Sequence, residues 1–367
     1  MFQTRFCDSF QVRLPIVQAG MAGNITSPAL VAAVSEAGGL GTLGGAYMAP
    51  DALRSAIREI KARTNQPFAV NLLLYPEVAA PAVTEAYLAW LNEQRSQVGL
   101  PPSTGELPLQ PDPIEERFQI ILEEGVPVFS FAFSPSGTYG ARAKQAGMKL
   151  IGMATTLEEA LALKNEGVDA IVAQGGEAGG HRGTFAVGAE GDGAVIGTLP
   201  LVSLIAQSIP ELPIIAAGGI MDGRGMVAAL SLGADAVQLG TRFLAAREST
   251  AHPAYKSRLL QAKETDTCVT RAFSGRPARG LHNRFIQSLK DHQVQPLPFP
   301  LQNRVTNPIR STAAQNSDSE AMSMWAGQGV AQLREEESAA EIIQKLCAEA
   351  EQAVSRVDRL WKLLDGR

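Results

Sequence analysis

Eight short apolar runs, separated by stretches with helical periodicity, constrain this chain more than any other feature. The runs are LPIVQAG (14–20), GLGTLGG (39–45), FAVNLLL (68–74), VPVFSFAF (126–133), KLIGMAT (149–155), AIVAQGG (170–176), LPIIAAGG (212–219) and AVQLGTR (236–242). Several are continuous rather than alternating, the pattern of strands covered on both faces. Between them lie SPALVAAVSEAGG (27–39), APDALRSAIREIKARTN (49–65), SGTYGARAKQAG (136–147), TTLEEALALKNEG (155–167) and DGRGMVAALSLGAD (222–235). Ser27 and Thr156 are candidate N-caps, the latter with Glu159 three residues on. The endings EAGG, QAGM, NEGV and SLGA share one logic: a glycine stops the helix in the left-handed region and a buried strand follows. An α/β fold, a (β/α)8 TIM barrel, is predicted. A doubly wound open sheet is the competitor, and the count of eight favours the barrel.

Such a barrel needs roughly 250 residues, and the chain has 367. Two stretches absorb the surplus. Residues 75–125 form a long connection with one expected helix, PAVTEAYLAWLNEQRSQ, followed by a Pro-rich surface segment. Beyond about residue 245 the alternation stops. There the chain carries a helix-like ESTAHPAYKSRLLQAKET, a basic TRAFSGRPARGLHNRF, a Pro-rich VQPLPFPLQNRV and an amphipathic helix over 336–364. The expected organisation is a barrel over residues 1–245, with an insertion at 75–125, and a smaller, mainly helical extension over 246–367.

Composition excludes several functions. With 45% hydrophobic and 19% charged residues the chain is not globally disordered. Lys+Arg 32 against Asp+Glu 37 gives a net charge of -5, without the basic excess that nucleic acid or an anionic membrane attracts. No apolar run approaches the ~18 residues of a spanning helix. The three cysteines, Cys7, Cys268 and Cys347, are scattered and form no metal-ligand pattern, and no other metal constellation is present. Free thiols in a reducing, cytoplasmic setting are expected.

Glycine is abundant, at 35 residues, and clustered at strand ends. AAGGIMDGRG (216–225) and QLGTRF (238–243) follow the last two strands, where barrels often build a phosphate site. Backbone N–H groups must approach phosphate oxygens without a Cβ in the way. Gly218, Gly219, Gly240 and the Thr241 hydroxyl suit that task; tight turns are the plainer reading of the same glycines. AQGGEAGGHRG (173–183) follows the sixth strand and carries Gln174 and His181. His181 is the one histidine of four inside a glycine-rich strand-end loop, and an imidazole near its ordinary pKa of ~6.5 suits proton transfer. QAGMAGN (18–24) follows the first strand, either as a tight turn or as a seat for a planar ligand under Met21 and Ala22. Asn71 and Gln238 are polar residues in apolar strands, as core brackets or as ligand contacts.

Together the motifs PIVQAGMAG, EAGGLGTLG, FAVNLLL, AQGGEAGGHRG, PIIAAGGIMDGRG and DAVQLGTRFLAARES resemble the nitronate monooxygenases, formerly 2-nitropropane dioxygenases. The resemblance runs almost the whole chain, and TRAFSGRPARGLHNRF and MSMWAGQGVA make it class I-like. It implies FMN as cofactor and an oxidative denitrification. Alkyl nitronates such as propionate 3-nitronate react with dioxygen to give a carbonyl compound and nitrite. Gln18, Ala19, Gly20, Met21 and Asn71 would lie near the flavin ring, and Gln174, Gly179 and Gly180 would contact it. Gly218, Gly219, Gln238, Leu239, Gly240 and Thr241 would hold the ribityl phosphate. His181 would be the catalytic imidazole, taking a proton from neutral nitroalkanes. The extension would cover the substrate side, and the implied partners are a small nitronate or nitroalkane and dioxygen, in a monomer or homodimer. The alternative is an NAD(P)H-dependent FMN reductase of quinones or enoyl thioesters, which shares the cofactor motifs.

Overall fold

The computed structural model describes residues 3–76, 78–188 and 191–364. Eleven strands are present among them: β1 (Ile16–Gln18), β2 (Gly41–Gly44), β3 (Phe68–Leu73), β4 (Val128–Ala132), β5 (Lys149–Ala154), β6 (Ala170–Gln174), β7 (Gly180–His181), β8 (Ile214–Ala217), β9 (Ala236–Leu239), β10 (Thr267–Thr270) and β11 (Ala278–Leu281). Eight of them form one parallel sheet in the order β1-β9-β8-β6-β5-β4-β3-β2. The sheet closes on itself: Leu40 N donates to Ile16 O (2.9 Å) and Gln18 N to Leu40 O (3.0 Å). The result is the (β/α)8 barrel, with all eight apolar runs as its staves.

Local chemistry accounts for the alternation. Ser27 Oγ accepts from Leu30 N at the start of the helix Pro28–Glu36. Thr156 Oγ1 accepts from Glu159 N at the start of Leu157–Glu166, which Gly167 ends at φ 73°. The Glu159 carboxylate reaches back not to the cap itself but to Thr155 N, 2.6 Å away. Its other oxygen accepts from Phe185 N, 2.7 Å away, tying this helix to the loop after β6.

The two irregular stretches pack partly on each other and partly on the barrel. The inserted segment has its expected helix, Glu85–Gln97, and also a second one, Ile114–Glu123, where proline density predicted surface loop. Its phenylalanine and isoleucines, Phe118, Ile120 and Ile121, join the barrel core, so burial overrides the prolines upstream. The extension likewise holds more order than expected. β10 and β11 form an antiparallel hairpin whose second strand lies inside the basic stretch, and the helix Leu301–Gln315 begins inside the Pro-rich one. From the inserted helix, Trp90 Nε1 and Gln94 Nε2 donate to Ser288 Oγ, and Tyr87 Oη donates to Gln302 Oε1. Tyr87, Trp90, Phe273, Phe285, Ile309 and Met324 share a second apolar core distinct from the barrel's. The terminal helix Ala339–Leu364 returns to the barrel, burying Ile342, Ile343, Leu346 and Ala350 there. No helix among the described residues is long and apolar enough to cross a membrane.

Candidate active site

A cavity opens at the carboxyl ends of the barrel strands, the rim on which this fold places its chemistry. It encloses about 1280 Å³, counting its open mouth. Ala19 and Gly20 line it beyond β1, Asn71 from β3, Gln174 from β6, Gly218 and Gly219 beyond β8, and Gln238, Gly240 and Thr241 from the end of β9. Met21, Ala22, Gly179, Gly180 and His181 complete the expected set. Leu239 stands apart: it is 1% exposed and its side chain belongs to the barrel core. Its backbone oxygen accepts from Ala19 N at 3.0 Å, which holds the loop after β1 in place. Gln18 is fully buried and spends its amide on the backbone of Thr42 in β2, so it brackets the core rather than facing the cavity.

The two open readings divide the same way. Asn71 Nδ2 donates to Ser130 Oγ (3.0 Å), and both residues line the cavity. Gln238 lines it too, with an amide that finds no partner among the described residues. A strand-borne amide without a protein partner, beside open space, is free to meet a ligand.

One end of the cavity is a cradle of backbone donors. Gly218 and Gly219 adopt φ of 123° and 69°, a conformation only glycine takes easily. The N–H groups of Gly219, Gly240 and Thr241 meet no acceptor among the described residues. Opposite them lies a segment that sequence reasoning left without a role, the WAGQG stretch of the extension. Gly327 N donates to Thr241 Oγ1 (3.0 Å) and Gln328 N to Glu177 O (3.0 Å). Gly179 abuts this segment so closely that a Cβ there would stand 2.5 Å from Gly327 N.

His181 occupies the other end. β7 pairs antiparallel with β11, setting His181 opposite Ala278. Gln174 secures the loop between: its Nε2 donates to His181 O (3.0 Å) and its Oε1 accepts from Gly183 N (2.8 Å). Arg182, fully buried, clamps the same loop through the carbonyls of Gln174, Gly175 and Ala194. The imidazole sits among aromatic rings, 5.2 Å from Trp325, 5.8 Å from Phe133 and 6.1 Å from Phe299 between centroids. Phe133 holds a left-handed φ of 84°, strained for a bulky residue, and the Arg276 guanidinium lies 3.8 Å over its ring.

Desolvation, and then the guanidiniums of Arg276 and Arg310, push the His181 pKa down to about 3. The expectation of an imidazole near its ordinary value is thereby corrected, and the cause lies in parts of the chain remote from the histidine. Neither arginine is paired with a carboxylate among the described residues, and desolvation lowers both to about 10. Among the described residues no side chain lining the cavity is a carboxylate, a lysine or an arginine. The His181 shift has a consequence for stability. The unfolded imidazole takes its proton near 6.5, whereas the folded one resists until about 3. Stability is therefore complete above about pH 6.5 and erodes as pH falls toward 3. In calorimetry the melting temperature of His181→Asn should decline less than that of the wild type across this window; parallel declines would refute the assignment.

Among known proteins, a sequence model of the family described as nitronate monooxygenase matches residues 4–349. A probable nitronate monooxygenase of Staphylococcus saprophyticus is 40% identical over 355 residues, 96% of this chain and 99% of that one. A probable nitronate monooxygenase of Bacillus subtilis is 40% identical over 347 residues, 94% of this chain and 98% of the other. The solved nitroalkane oxidase of Streptomyces ansochromogenes superimposes with a TM-score of 0.87 at 38% identity, covering 96% of this chain and 99% of its own. FabK of Thermotoga maritima superimposes with a TM-score of 0.78 at 33% identity, covering 98% and 100%. With nearly the full length shared in both directions, and the strand-end cavity in place, the chain is an oxidoreductase that belongs to the nitronate monooxygenase family.

Proposed function

We propose that the chain is an FMN-dependent nitronate monooxygenase, oxidising alkyl nitronates such as propionate 3-nitronate with dioxygen to a carbonyl compound and nitrite. The observation that carries this reading is the placement of the His181 imidazole on the cavity wall, among the rings of Phe133 and Trp325, with Arg276 and Arg310 behind it and no carboxylate partner for either arginine among the described residues. Their field favours an anion and disfavours a proton on His181. A nitronate is an anion that has already lost its carbon-bound proton. A neutral nitroalkane would need a stronger base.

The residues present fit FMN. A phosphate matches the unpartnered N–H groups of Gly219, Gly240 and Thr241, in a cradle that a Cβ would fill. The free amide of Gln238 and Asn71 Oδ1 suit the polar edge of a flat ring, with Met21 and Ala22 against its face. When bound, FMN supplies the electron transfer that side chains cannot. The chain's own groups would hold the nitronate beside His181, where the rings of Phe133 and Trp325 exclude water. In this reading residues 1–245 supply most of the cofactor site, with Gly327 of the extension closing against its phosphate end, and 246–367 form the substrate-side cover through Trp325. The assembly that goes with this reading is a monomer or a homodimer.

FabK's likeness keeps one rival in view, reduction by NAD(P)H. Anaerobic mixing separates the two. Propionate 3-nitronate should bleach the yellow absorbance of the purified protein within the turnover time, and NADH should leave it nearly unchanged. Rapid bleaching by NADH with none by nitronate would overturn the proposal in favour of the reductase.

A further inference from the structure

We propose that Ser274 sets the tautomer of His181, so that Nε2 carries the ring proton and Nδ1 is the atom that takes a proton from the substrate. The substrate's identity rests on the reading above; the tautomer does not.

A serine hydroxyl has one proton to give and two lone pairs. Ser274 Oγ lies 3.0 Å from Arg276 O, 3.3 Å from Arg276 N and 2.9 Å from His181 Nε2. A carbonyl can only accept and a backbone N–H can only donate. The hydroxyl proton therefore goes to Arg276 O, and one lone pair receives Arg276 N–H. The remaining lone pair faces Nε2, which must be the donor. The reverse arrangement would strip Arg276 O of the one hydrogen bond it receives among the described residues.

The serine has no freedom to turn away. It is 1% exposed, in a turn that Gly275 makes at φ 80°, where a Cβ would stand 2.1 Å from Leu297 O. The helix Leu301–Gln315 grips the preceding residues: Gln302 Nε2 donates to Ala272 O and Thr306 Oγ1 to Phe273 O. His181 is held from its own side by the β7–β11 ladder. Nδ1 makes no hydrogen bond among the described residues, and its residue lines the cavity.

The chemistry follows from that lone pair. When a neutral nitroalkane binds, its Cα–H bond breaks, the electron pair stays with the substrate as the nitronate, and the proton bonds to Nδ1. The imidazolium then donates from both nitrogens, to Ser274 and to a nitronate oxygen. Ser274 is a positioning residue: it touches neither substrate nor cofactor.

Long-range 1H–15N spectra of the full-length purified protein, labelled at histidine, distinguish the two tautomers, with His181→Asn identifying the signal. The wild type should be protonated at Nε2 from about pH 5 to 8. Ser274→Ala should give a mixed population, with kcat on a neutral nitroalkane reduced roughly 10- to 100-fold and KM little changed. Ser274→Thr, which keeps the hydroxyl, should restore both. A wild-type signal protonated at Nδ1 overturns the proposal, whether or not Ser274→Ala folds. So does a Ser274→Ala spectrum identical to the wild type. Should the spectra agree but no nitronate or nitroalkane be oxidised, the functional reading fails and the tautomer stands.

Discussion

His181→Asn should abolish turnover of neutral nitroalkanes while leaving the protein yellow. Among the described residues Nδ1 is the one unpartnered basic atom of the cavity lining, and asparagine offers no basic nitrogen there. Positioned proton transfer contributes about 10²–10⁴-fold, and a loss of that order in kcat/KM is expected with 2-nitropropane. With a preformed nitronate no proton needs to be removed, so the loss should stay within about tenfold. That limit is an order-of-magnitude reading of one lost neutral contact. Wild type should already favour the nitronate strongly, because burial, and then Arg276 and Arg310, weaken the imidazole as a base. The check is steady-state oxygen uptake with both substrates, alongside the absorbance of the purified variant. Equal activity of variant and wild type on the nitroalkane would remove His181 from the chemistry. A colourless variant would mean that its role is in holding the cofactor.

Gly219→Val should release the cofactor. The backbone there sits at φ 69°, where a β-branched residue is a steric outlier. The new Cβ would press on Glu177 Cβ at 3.3 Å. Glu177 in turn accepts from Thr198 N and Oγ1 at the head of the helix Thr198–Ser208, so it cannot yield freely. Relieving the strain turns the Gly219 N–H away from its cradle. Strain and one lost charge-assisted donor together cost about 2–4 kcal/mol, or roughly 30- to 700-fold in Kd. Titration of the stripped protein with FMN, followed by fluorescence quenching, measures it. Gly147→Val serves as control. Gly147 has a similar φ of 76° but no heavy atom within 4 Å of its would-be Cβ, and it lies outside the cavity. The control should lose stability and keep its affinity. Equal affinity of Gly219→Val and wild type for FMN would remove the glycine from the phosphate cradle.

The barrel was legible because its information is local. Each strand is an apolar run of a few residues, helices such as Pro28–Glu36 and Leu157–Glu166 begin at a Ser or Thr cap and give way to a glycine, and the count of eight favours the closure. The glycine clusters were legible for the same reason, since a backbone that must approach a ligand or turn left-handed writes itself as glycine. Where the reading fell short, distant burial intervened. Ile114–Glu123 is a helix behind a run of prolines because its apolar face completes the barrel core. The helix Leu301–Gln315 starts inside a Pro-rich stretch because Gln302 and Thr306 hold the turn that carries Ser274. Leu239 shares a motif with Gln238 and Gly240 but points its side chain at the opposite side of the strand, as alternation requires.

By itself, then, the sequence determined the barrel, the rim on which its glycines gather, and His181 as the imidazole on that rim. It left undecided what state that imidazole is in. Only the folded chain buries it and brings Arg276 and Arg310 near, which together hold it neutral, and sets Ser274 close enough to orient its proton. The physical reason is one of range. Capping, turns and apolar periodicity act within a few residues, whereas desolvation and the field of a buried charge depend on groups about a hundred residues away in sequence, which share a cavity only after folding.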